Sequence, residues 1–130
     1  MIKTEQEYKR TKKMVEEERS AIEKQKKNLK DKGFSDEEVH NLLAPGIAIH
    51  EQKAGEVLQY ERIKKGDFNG VEYSLGKMLI AIRIYRGMSQ AELARRLKVS
   101  PAQVSMDERN EYYGISVQRN KDAFPTLTIT

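Results

Sequence analysis

The chain has 130 residues, room for a single core or one small domain with an appendage, and its 24 basic and 20 acidic side chains leave a mild net charge of +4. It contains no cysteine, which excludes disulfides, thiol catalysis and cysteine-held zinc together. Its longest wholly apolar run, Met78-Leu79-Ile80-Ala81-Ile82, falls far short of the ~20 residues of a membrane span, and the opening MIKTEQEYKR lacks the apolar core of a secretory signal, so a cytoplasmic protein is expected.

Thr4 and Glu7 fit a capping box, and no glycine occurs before Gly33, which predicts one long helix from about Glu5 to Lys32. Tyr8, Val15, Ile22 and Leu29 recur every seven residues, but the positions three and four further on are mostly Thr, Glu, Gln, Lys and Arg. Half a heptad pattern suits packing on a neighbouring helix better than a free coiled coil, with pairing in a dimer left open. After Gly33, Ser35 and Glu38 box a second helix. Pro45-Gly46 is expected to interrupt it, before an amphipathic stretch with Ile47, Ile49, Ala54, Val57, Leu58 and Ile63. Residues 1–66 therefore predict a helical hairpin or three-helix appendage. The turn-rich Gly66-Asp67-Phe68-Asn69-Gly70 marks a short hinge over 67–73.

The segment from Gly87 to Asn110, GMSQAELARRLKVSPAQVSMDERN, is the most informative part of the chain. Ser89 with Glu92, and Ser100 with Gln103, fit capping boxes whose starts lie eleven residues apart, so two short helices joined by a tight turn are predicted. In the first, Ala91, Leu93, Ala94 and Leu97 give one apolar face, and Ala94 is small enough for a second helix to cross close above it. Val99 plugs the turn. In the second, Pro101 takes the first helical position, Val104 points inward, and Ala102, Gln103, Ser105 and Met106 face out. Lys77, Arg83, Arg86, Arg95, Arg96, Lys98 and Arg109 outnumber nearby acids and predict a basic face. Beyond it, residues 115–124 read as a last helix stopped by Pro125, and 125–130 as a tail with strand-like alternation.

This pattern resembles the Cro/C1-type, or Xre, helix-turn-helix family over about residues 74–122, on Gly87-Met88, Ser89-Gln90-Ala91-Glu92-Leu93-Ala94, Val99-Ser100, Val104-Ser105 and Glu108. The resemblance implies an all-α protein in which the N-terminal helical appendage precedes a lambda-repressor-like domain over 74–124. It makes Ser100 to Arg109 the recognition helix, with Pro101, Ala102, Ser105 and Met106 nearest base edges and Gln90 on a phosphate. Ser100, Gln103, Arg109 and Asn110 complete the implied contacts, and Arg83 with Glu108 becomes a structural ion pair. Three features depart from the family: Lys98 where the turn usually has Gly, Asp107 where an apolar residue is common, and a base-facing set poor in the long polar side chains that bidentate readout uses.

The expected function is sequence-specific binding of duplex DNA as a homodimer on a palindromic operator, as a transcriptional repressor. The leader, with Thr4-Glu5-Gln6-Glu7-Tyr8 and Tyr60-Glu61-Arg62, is also similar to that of HigA-like antitoxins. That similarity implies a second function, neutralising a small ribonuclease toxin and repressing its operon. A protein-binding module on the same fold is the third reading. No catalytic constellation, cofactor motif or metal-ligand spacing is present: His40 and His50, the only histidines, read as polar residues on helix surfaces.

Overall fold

The computed structural model describes residues 1–72 and 74–113, which are all-helical and contain no strand. Five helices follow in order: α1 (Glu5–Asp31), α2 (Asp36–Lys64), α3 (Leu75–Tyr85), α4 (Gln90–Leu97) and α5 (Pro101–Arg109). The helix expected over 115–124 and the tail 125–130 lie outside the described residues. Packing divides the chain into two compact units. One comprises Ile2 and Thr4 to Leu58, the other Met1, Lys3 and the chain from Gln59 onward. No helix among the described residues is long and apolar enough to cross a membrane.

In the first unit α1 starts where Thr4 Oγ1 accepts the amide of Glu7 at 3.1 Å. The α2 cap is a complete box, with Ser35 N–H donating to Glu38 Oε1 at 3.0 Å and Glu38 N–H to Ser35 Oγ at 3.1 Å. Those bonds hold the Glu38 carboxylate ionised below its ordinary range. The two helices form an antiparallel hairpin. Glu18 accepts from Lys53 Nζ at 2.9 Å and lies 3.3 Å from His50 Nδ1, and Lys53 also reaches Met14 Sδ at 3.4 Å. Glu18, one of the polar residues of the half heptad, is thus part of the seam. Hydrogen bonds from Lys53 and His50 push the pKa of Glu18 down.

Two expectations fail here. Pro45-Gly46 does not break the chain, because α2 runs unbroken for 29 residues with Pro45 inside it. Pro45 stands on an exposed face, where water can satisfy the carbonyl that its missing N–H leaves unpaired. His50 is not a surface residue either: its side chain is 11% exposed, against Glu18, whereas His40 is exposed as expected.

The second unit is built on α3, whose apolar residues cover nearly its whole circumference; Leu79, Ile80, Ala81 and Ile84 are all buried. Ser74 caps it, accepting the Lys77 amide. Among the described residues, Tyr60, Ile63, Met88, Leu93, Ala94, Val104 and Tyr112 are the other buried apolar residues of this unit. Within the segment predicted as a hinge, residues 67–70 make local contacts. Asp67 Oδ1 accepts the Asn69 amide at 2.9 Å, Gln59 Nε2 donates to the Gly70 carbonyl, and the Phe68 ring meets Tyr85 edge-on at 5.9 Å.

Candidate nucleic-acid interface

The two helices predicted between Gly87 and Asn110 are α4 and α5, and they pack on each other, with α5 also against α3. Ser89 Oγ accepts the Glu92 amide and Ser100 Oγ the Gln103 amide, each at 3.1 Å, so both predicted caps are made. Leu93, Ala94 and Val104 are at most 1% exposed, which puts the small Ala94 inside the α4–α5 packing as its size requires. Leu97 and Val99 are half-buried, and Ala91 is exposed.

The connection is a Schellman turn. Val99 N–H reaches the Ala94 carbonyl at 3.0 Å and Lys98 N–H the Arg95 carbonyl at 3.3 Å, which forces Lys98 into the left-handed region at φ 60°. The ends of α1, α2 and α3 use the same device with glycine, at Gly33, Gly66 and Gly87. Lys98 adopts the glycine conformation with a side chain attached.

α5 is fixed from beneath by a buried charge network. Arg83 donates to both carboxylate oxygens of Glu108, from Nε at 2.5 Å and from Nη2 at 2.8 Å, with side-chain exposures of 3% and 0%. Its remaining reach goes to backbone, Nη1 to the Met88 carbonyl at 2.8 Å and Nη2 to the Lys3 carbonyl at 2.6 Å. Gln90 joins from α4, its Nε2 donating to Glu108 Oε1 at 2.9 Å. Four fixed bonds on one guanidinium make it a clamp joining the N-terminal backbone, the end of α3 and α5.

The other α5 acid is also turned in. Asp107 is 6% exposed and accepts from Gln103 Nε2 at 3.0 Å. This bond gives Asp107 a partner inside the fold, and it draws Gln103 sideways to a half-buried position. Past α5 the chain turns back through two left-handed residues, Glu111 at φ 54° and Tyr112 at φ 59°. The Glu111 carbonyl then lies so close to α3 that a Cβ on Gly76 would come within 1.8 Å of it, so this position admits only glycine. Tyr112 is buried, and its hydroxyl has no hydrogen-bond partner among the described residues. Burial foremost, then the charge of Glu108, raises its pKa.

Of the predicted contact residues, Ser100, Pro101, Ala102, Met106, Arg109 and Asn110 are exposed, Ser105, Gln103 and Gln90 are half-buried, and Met106 presents 52% of its surface. The basic face is smaller than the sequence suggests. Arg83 is consumed by Glu108, and Lys77 is paired with Glu72 and Glu111. Arg95, Arg96, Lys98 and Arg109 are exposed, the first two lining a shallow cleft with Glu92. Among the described residues no group of three or more His, Asp or Glu could hold a metal ion.

Sequence reasoning missed the Gln90–Glu108 bond, the Lys3 carbonyl on Arg83 and the Gly76–Glu111 approach. The i,i+4 spacing of Gln103 and Asp107 could have shown their pairing. No local signal links residues 80 apart. No protein-family model, curated protein or solved structure matches the chain.

Proposed function

We propose that the chain binds duplex DNA with α5 in the major groove, as a helix-turn-helix regulator that represses transcription as a two-fold dimer. The observation that carries this reading is the sidedness of α5. Both of its carboxylates, Asp107 and Glu108, are buried, while Ser100, Pro101, Ala102, Met106, Arg109 and Asn110 are exposed. An outward surface free of α5 acids, flanked by Arg95, Arg96 and Lys98, is what a polyanion requires. Arg109 and the three α4-end cations serve phosphates. Gln90 spends one amide proton on Glu108 and keeps the other for a phosphate. Ser105 and Asn110 supply polar readout, and Met106 and Ala102 supply apolar contact to thymine methyls.

The test is selection from a random duplex pool at physiological salt. A palindrome with half-sites about one helical turn apart supports the reading. Changing Ser105 or Met106 should then alter the selected sequence. Recovery of no motif would overturn DNA readout and favour a protein-binding module on this fold.

A further inference from the structure

The last turn of α2 and the residue after it expose three cations, Arg62, Lys64 and Lys65. None of the three is held in an ion pair among the described residues. The acids beside them are less open: Glu61 and Asp67 are half-buried, and Asp67 Oδ1 takes the Asn69 amide. This end of α2 is fixed. Gly66 N–H reaches the Ile63 carbonyl and Asp67 N–H the Arg62 carbonyl, each at 2.9 Å, and a Cβ on Gly66 would lie 3.1 Å from the Tyr85 ring. Tyr85 is the last residue of α3, and the chain from it to the α4 cap at Ser89 can reach at most ~15 Å. Arg83 Nη1 holds that link by the Met88 carbonyl at 2.8 Å. The end of α2 and the start of α4 therefore flank the same end of α3, inside one packing unit. Phosphates of a duplex strand follow one another at about 3.4 Å of rise, so the two places lie within about four nucleotides of each other along a backbone.

We infer that Arg62, Lys64 and Lys65 are a second phosphate contact, which grips the duplex backbone beside the phosphate proposed for Gln90 and lengthens the footprint beyond the bases read by α5. The inference rests on the DNA reading above and adds to it residues outside the two motif helices. These cations carry no sequence information, because an ammonium meets a phosphate as a point charge whatever base pair stands behind it. They also suit the carbonyl end of the α2 dipole. A last turn that served the dipole alone would lose stability when neutralised and leave DNA binding unchanged.

The experiment is fluorescence anisotropy of the full chain on a labelled duplex, the selected palindrome with its flanks, over a series of salt concentrations. Wild type and Arg95→Ala are compared with an alanine triple (Arg62→Ala, Lys64→Ala, Lys65→Ala) and a charge-keeping triple (Arg62→Lys, Lys64→Arg, Lys65→Arg). The alanine triple should lower the slope of log affinity against log salt by about 2–3 without altering the preferred sequence, and the charge-keeping triple should match wild type. Trimming about four base pairs from each flank should weaken wild type and the charge-keeping triple but not the alanine triple. An alanine triple with the wild-type slope overturns the inference, even where its melting temperature falls. If Arg95→Ala lowers the slope in that same series, the DNA reading survives the loss. If neither variant changes the slope, or wild type binds no duplex, both fall together.

Discussion

Arg83 and Glu108 show how much one pair can settle. Each is buried, and each satisfies the other's charge with two bonds. Removing one partner strands an ion in the core, so Arg83→Met or Glu108→Leu alone should lose about 3–5 kcal/mol in urea unfolding, and the double variant should recover most of it. Tyr112 gives the opposite case, a buried hydroxyl with no hydrogen-bond partner among the described residues. The folded chain holds its proton more tightly than the unfolded chain, so its contribution to stability is intact below the ordinary value of 10.0 and lost as pH rises past it. Tyr112→Phe should leave stability at neutral pH equal or higher and flatten the alkaline decline, as followed by thermal melts from pH 8 to 11. The ion pair was legible through resemblance. The third partner Gln90 was not, because a glutamine at a helix start suits a phosphate and a neighbouring carboxylate equally well.

The elements were readable wherever local chemistry decides them. Caps at Thr4, Ser35, Ser89 and Ser100 each mark a helix start that the structure has. α2 was misread at Pro45, because the rule that proline ends a helix assumes the freed carbonyl has no other partner, and on an exposed face water supplies one. Lys98 is the converse, an element end without the usual glycine. Its left-handed backbone is strained by its own Cβ. Lys98→Gly should therefore raise stability by about 0.5–1 kcal/mol and the melting temperature by a few degrees. If Lys98 faces DNA as proposed, the same change should weaken duplex binding. A stabilised variant with unaltered affinity would remove Lys98 from the interface.

For the whole molecule, composition said little: a net charge of +4 does not announce a nucleic-acid binder, and burial of particular acids makes the proposed surface basic. Neutralising Arg95, Arg96 or Arg109 singly with Ala should each reduce the slope of log affinity against log salt by about 1. Unchanged slopes would place DNA elsewhere or nowhere. Division into two packing units was only partly legible, because periodicity reports which faces are apolar but not which long-range contacts close them. The bond from Arg83 to the Lys3 carbonyl is the clearest such closure, spanning 80 residues. On the ribosome that span is a delay. At about 5–20 residues per second Lys3 waits roughly 4–16 s for Arg83 to be made, and longer for Glu108. The α1–α2 hairpin can form in that interval, whereas the backbone around Lys3, made before the hairpin, reaches its native partner only after it.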